Sequence, residues 1–183
     1  MKLLGFAGSP RVGGNSDVLL DEVLSGAAAA GAEVEKVCLN KLSIRPCQAC
    51  EGCRKEQRRC VVQDDMQALY DKLNAADAWV LATPVYWWGP SAQLKLMVDR
   101  WYGMPDKRQN LPGKRVGLVV TLGDDDHKTA QPTLQMFRDA FDYLHMDLAE
   151  PLVVSAMERG EVKGNAAALA RARQLGAELV RGK

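Results

Sequence analysis

Four cysteines fall within fourteen residues, as Cys47-x2-Cys50-x2-Cys53-x6-Cys60. Four thiolates suit a [4Fe–4S] cluster, in which three close ligands wrap the cluster and a fourth returns after a short loop. The spacing departs from the ferredoxin run, in which a proline follows the fourth cysteine. Zinc is a weaker match, because structural zinc sites pair two C-x2-C units across a longer stretch and here the pairs overlap. The same thiols could also be small packed hydrophobes or free thiols. Arg54, Lys55, Arg58 and Arg59 interleave them and either offset thiolate charge or face water. The fifth, Cys38, falls in a strand pattern that alternates with charges and reads as core.

A second candidate is Gly8-Ser9-Pro10-Arg11-Val12-Gly13-Gly14-Asn15-Ser16, set between an apolar run and a helical pattern. A helix N-terminus offers free N–H groups and a favourable dipole to a phosphate. Ser9, Asn15 and Ser16 add side-chain donors, and Arg11 adds a charged fork. No lysine stands where a Walker A loop needs one. The glycines are wrongly spaced for a dinucleotide fingerprint. The remaining ligand is a mononucleotide phosphate, and the bland alternative is a plain Gly-rich turn. A third segment, Thr83-Pro84-Val85-Tyr86-Trp87-Trp88-Gly89-Pro90, sets three aromatics in a row. Strand core aromatics would alternate, so these suit a flat ring, and a subunit contact or a loop anchored into the core is the plain alternative, which can hold alongside it. His127, beside Asp124, Asp125 and Asp126, reads as a solvated loop rather than a metal site.

These segments need a scaffold. The hydrophobic pattern predicts strands at 2–7, 34–39, 78–83, 115–122 and 148–155, with Pro84 stopping the third and Pro151 disturbing the fifth. Helical spacing predicts helices near 16–30, 64–75, 91–102, 132–145 and 165–180, the first capped by Asn15 or Ser16. Five βα repeats give a three-layer α/β sandwich with a five-stranded parallel sheet in the order 2-1-3-4-5. In such a sheet ligands bind at the carboxyl ends of the strands, where all three segments lie.

The chain has 183 residues with 47% hydrophobic and 26% charged, which predicts one domain over 1–183. A net charge of +1 gives nucleic acid no support as a partner. The N-terminal apolar run stops at Gly8, short of a signal peptide, and no stretch approaches the ~20 apolar residues of a membrane span. A cytoplasmic protein with no membrane partner is expected.

The stretches GSPRVGGNS, CQACEGCRKEQRRCVVQDDM and ADAWVLATPVYWWGPSAQLKLMVDRW resemble the NADPH-dependent FMN reductase group of flavodoxin-like proteins, and within it the iron–sulfur flavoproteins. The resemblance implies FMN with its phosphate against Ser9, Arg11, Asn15 and Ser16. It sets the isoalloxazine on Pro84, Val85, Tyr86 and Trp87, closed on the other side by Thr121, Gly123 and Asp124. It also implies NAD(P)H as electron donor, an unknown acceptor, a homodimer or homotetramer, and Cys47, Cys50, Cys53 and Cys60 as candidate cluster ligands. Two other classes stay open. A non-enzymatic electron carrier would need an acidic surface, against the +1 charge. A redox sensor would use the cysteine loop.

Overall fold

The computed structural model describes residues 1–55, 59–104 and 111–182; Arg58 lies outside the described residues. Strands β1 (Lys2–Ala7), β2 (Glu33–Cys38), β3 (Ala78–Tyr86), β5 (Arg115–Leu122), β6 (Asp147–Leu148) and β7 (Leu152–Ser155) form a parallel sheet, and β4 (Gly89–Pro90) folds back on β3. The order runs β2-β1-β3-β5, with β6 and β7 both on the outer side of β5. That is the predicted 2-1-3-4-5 order with the fifth strand in two pieces. Ala149, Glu150 and Pro151 interrupt it, as a proline on an edge strand would.

Successive strand residues face opposite layers. Leu4, Phe6, Trp79, Leu81, Leu118 and Val120 pack under α2 (Met66–Ala75), α3 (Ala92–Asp99) and α4 (Gln131–Tyr143). Leu3, Ala7, Val80 and Val119 pack under α1 (Asn15–Ala29) and α5 (Ala166–Arg181). The last two helices touch backbone to backbone. A Cβ on Gly176 would stand 1.9 Å from the Val23 carbonyl, and one on Gly26 would stand 2.0 Å from that of Arg173. Among the described residues no helix is long and apolar enough to cross a membrane.

Two sequence expectations fail locally. Pro84 does not stop the third strand, which continues to Tyr86. Ala82 points its carbonyl at Gly8 on the β1 side, and Pro84, two residues on, shares that side. β1 has ended there, so the missing N–H of Pro84 has no ladder to break. Nor does Asn15 or Ser16 cap α1: Gly14 holds that position without a side-chain bond. The Asn15 amide is engaged elsewhere, as described below.

Candidate functional site

The carboxyl ends of β1, β3, β5 and β7 surround a cavity of about 230 Å³. Ser9, Arg11, Gly14, Asn15 and Ser16 form one wall, Pro84, Val85 and Tyr86 a second, and Thr121, Leu122 and Gly123 a third. The chain closes it with Ala156, Met157 and Arg159, just past β7. Among the described residues no aspartate or glutamate lines it, while two arginines do.

Each wall has a local cause. Gly8 turns the chain out of β1 where a Cβ would meet the Ala82 carbonyl at 2.9 Å and Ser91 Oγ at 3.0 Å. Ser91, fully buried, donates from Oγ to the Gly8 carbonyl at 2.6 Å and from its backbone N–H to Thr83 Oγ1 at 2.9 Å. It thereby ties the first loop to the third strand. Ser9 Oγ accepts from the Arg11 N–H at 3.1 Å, and the Gly14 N–H donates to the Arg11 carbonyl at 3.0 Å. Gly13, at φ 70°, supplies the left-handed turn and donates to Asp17 Oδ2 at 2.8 Å. Asp17 and Asp21 hold the Lys36 ammonium, whose pKa is raised because these carboxylates outweigh the opposing effect of burial.

Ten of the eleven predicted cofactor residues therefore stand at one place, and nine of them line the main cavity. Trp87 lies on a smaller adjoining recess of about 200 Å³ that shares Val85, Leu122 and Gly123 with it and adds Trp88 and Thr129. Asp124 lines neither cavity. Its carboxylate accepts from the Asp126 N–H at 3.0 Å and from Thr129 Oγ1 at 2.7 Å, which hold its pKa below the usual range. Asp124 shapes the loop, and His127 beside it meets Ser155 Oγ at 3.1 Å.

Asn15 lines the cavity with its polar atoms already engaged. Its amide nitrogen donates to the carbonyls of Ala156 at 3.1 Å and Glu158 at 2.8 Å, and its oxygen accepts from the Val162 N–H at 3.3 Å. It clasps the loop after β7 against the phosphate loop. The sequence reading missed Ala156, Met157 and Arg159. The one available signal was positional: every strand of such a sheet sends a loop to the same rim.

The cysteine loop is a separate construction. Its two ends pair at a neck. The Ser43 N–H donates to Asp65 Oδ2 at 2.7 Å, and the Arg45 N–H donates to Asp64 Oδ2 at 2.9 Å. Cys47 and Cys50 are exposed, Cys53 and Cys60 half-buried, and all four line one cavity of about 480 Å³ with Arg100, Tyr102 and Gly103. Gly103 is a glycine because a Cβ there would meet Cys60 Cβ and Tyr70 Oη, each at 2.8 Å. Among the described residues no three His, Cys, Asp or Glu side chains converge as a single metal ion requires. Each thiolate of a [4Fe–4S] cluster binds a different iron, so thiols ringing a cavity fit that donor set better than a zinc site. Of the interleaved cations, Arg54 pairs with Glu51 and Arg59 turns to Gln67 and Asp71 on α2. Arg54 and Arg100 line the cavity together with the thiols, as do Glu51 and Asp99.

A parallel sheet in this order, with an anion-friendly cavity at its switch point, defines a flavodoxin-like nucleotide-binding protein. The chain belongs to the NADPH-dependent FMN reductase family, whose family model matches residues 1–160. It is similar to an iron–sulfur flavoprotein of Methanosarcina thermophila, with 36% identity over 139 residues covering 76% of this chain and 72% of the relative. A putative NAD(P)H-dependent FMN-containing oxidoreductase of Bacillus subtilis is 28% identical over 181 residues, 96% of each chain. Two solved structures share the fold. The Trp repressor binding protein of Bacillus subtilis has a TM-score of 0.71 at 24% identity, covering 96% of this chain and 98% of that one. A flavone reductase has a TM-score of 0.76 at 23% identity, covering 98% of this chain and 62% of that one. The protein is an NAD(P)H-dependent, FMN reductase-type oxidoreductase, with a nicotinamide cofactor as substrate.

Proposed function

We propose that the whole chain acts as one FMN-binding unit that passes electrons from NAD(P)H to a small-molecule or protein acceptor. The observation that carries this reading is a cavity, lined by no carboxylate among the described residues, in which three distant loops meet at the N-terminus of α1. Backbone N–H groups at the N-terminus of α1, with Ser9, Ser16 and Arg11, hold the phosphate; Asn15 positions the loop after β7 beside them. Pro84, Val85 and Tyr86 offer a stiff, flat surface to the ring, and Thr121 and Gly123 close the other side. Trp87 stands at the outer rim. Bound FMN would supply hydride acceptance and one- or two-electron release. Hydride arrival needs no proton from the protein, so no general acid or base is assigned.

Cys47, Cys50, Cys53 and Cys60 would hold a [4Fe–4S] cluster, which would supply one-electron exchange with a protein carrier. Such thiolates belong in a reducing compartment, so the cytoplasm is the working location. Exposed Tyr86, Trp87 and Trp88 favour a homodimer or homotetramer that covers them.

The test is an absorption spectrum of protein purified without oxygen, with iron and acid-labile sulfide assays. Flavin bands, a cluster shoulder and about four irons per chain support both parts. Flavin bands without iron leave an FMN reductase with spectator cysteines. A colourless protein that also fails to take up added FMN sinks the reading.

A further inference from the structure

We propose that Arg159, on the loop after β7, is a second phosphate-recognising residue of the FMN site, and that Asn15 is the residue that positions it. The inference rests on the FMN reading above and adds to it a residue from the far end of the chain.

The geometry starts at Arg159 itself. Its Nη2 donates to the Val12 carbonyl at 2.6 Å, which pins the side chain across the phosphate loop. That bond uses one of the five N–H donors of a guanidinium. Arg159 lines the same cavity as Ser9, Arg11 and Ser16.

The loop that carries it is built rather than loose. Asn15 bonds it at three points, through Ala156, Glu158 and Val162. Glu161 accepts from the N–H groups of Met157 and Glu158, each at 2.8 Å. Gly160, at φ 77°, comes so close to the phosphate loop that a Cβ would lie 3.3 Å from the Gly13 carbonyl. A loop bonded at these points is held in one place, with Arg159 on the cavity lining.

Charge completes the argument. Two guanidiniums share a cavity that no carboxylate among the described residues lines, a charge pattern that favours an anion. A phosphate monoester carries about −1.5 to −2 charges at neutral pH, which two arginines match. One arginine comes from the phosphate loop and the other from the loop clasped against it, so two separate segments can contact one phosphate.

The test titrates the full chain, stripped of flavin, with FMN and with riboflavin, which lacks the phosphate. Wild-type protein should prefer FMN. Arg159→Ala should weaken FMN by roughly tenfold, leave riboflavin unchanged, and so erase part of that preference. Arg159→Lys should recover part of it. Asn15→Ala should reproduce the selective loss, which a merely structural role would not, since that would weaken both flavins alike. An Arg159→Ala protein that keeps the full FMN preference, or that loses both flavins equally, overturns the inference while leaving the FMN reading intact. An unchanged FMN affinity with a raised KM for NADPH, but not for NADH, also overturns it and assigns Arg159 to the nucleotide's 2′-phosphate. A wild-type protein that binds neither flavin instead fails the FMN reading itself.

Discussion

Arg100 grips both carboxylate oxygens of Asp64, at 2.7 and 3.1 Å, with side chains only 1% and 4% exposed. The same guanidinium donates to the Arg45 carbonyl at 2.8 Å, so one ion pair ties the neck of the cysteine loop to the end of α3. Arg100 Nε has no partner among the described residues. Tyr70 completes the group by donating to the Arg100 carbonyl at 2.9 Å, and burial drives its phenol pKa well up.

Asp64→Asn should therefore destabilise the protein by about 3–5 kcal/mol at neutral pH, because it leaves a buried guanidinium unpaired. Burial alone would raise the Asp64 pKa, but the bonds from Arg100 and the Arg45 N–H override it and hold it below the usual value. A carboxyl with a lowered folded pKa contributes above its unfolded value, about 3.9, and loses that contribution as pH falls through the folded one. Urea midpoints of wild type and variant should thus converge below about pH 4. A gap that stays constant from pH 7 to pH 3 would show that the ionised pair is not what stabilises the neck.

The turn between β3 and β4 stores strain. Val85 pairs with Pro90 and Tyr86 with Gly89, leaving Trp87 and Trp88 as a two-residue loop at φ 49° and 62°. Both positive angles make it a type I′ turn, which asparagine and glycine favour. Each tryptophan costs about 1–3 kcal/mol there. Thr133 Oγ1 helps hold it by donating to the Trp88 carbonyl at 2.8 Å. Trp87→Asn with Trp88→Gly should raise Tm while lowering kcat/KM for a planar aromatic acceptor, since two aromatic walls beside the cavity are lost. A lower Tm would refute stored strain.

Gly176→Ala sets packing against propensity. In an isolated helix the change gains about 1 kcal/mol. Here the new Cβ would land on the Val23 carbonyl, so α1 and α5 must part. A net loss of about 1–3 kcal/mol is expected in denaturant unfolding. A gain would mean that the two helices slide apart freely.

Much of this site was legible in the sequence because its residues are local. Ser9, Arg11 and Ser16 lie between an apolar strand and an amphipathic helix, and Pro84, Val85 and Tyr86 follow directly on another strand. Arg159 was not legible. It reaches the phosphate loop through contacts 141 to 147 positions apart in sequence, which periodicity does not carry. Asn15 was read as a helix cap because its type favours caps, whereas the structure commits it to a distant loop. Pro84 was read as a strand stop because it lacks an N–H, and that matters only where a neighbour would have received it. Arg100 resembles an ordinary cation at a helix C-terminus until the fold buries it against Asp64.

Arg11→Ala should weaken FMN by a margin similar to Arg159→Ala, and riboflavin little. Arg11 is exposed on the phosphate loop, and the Arg11 N–H and carbonyl that shape the loop survive the change. FMN affinity equal to wild type in a fluorescence titration would remove its side chain from the site.

Cys47→Ser and Cys50→Ser separate the remaining readings of the cysteine loop. Both thiols are exposed, so neither change removes core packing, and the fold should be unaffected. Neither residue lines the flavin cavity, so FMN content should stay at wild-type level. Under the cluster reading, iron and acid-labile sulfide fall sharply in protein purified without oxygen, because serine is a poor ligand for a cluster that thiolates hold. NADPH turnover with a small acceptor persists, while electron delivery to a one-electron protein carrier falls. A redox sensor would behave differently: wild type would carry no iron, and both variants would lose a reversible thiol response to oxidant. Loss of NADPH turnover with a small acceptor in either variant, at full FMN content, would mean that these thiols take part in the flavin reaction itself.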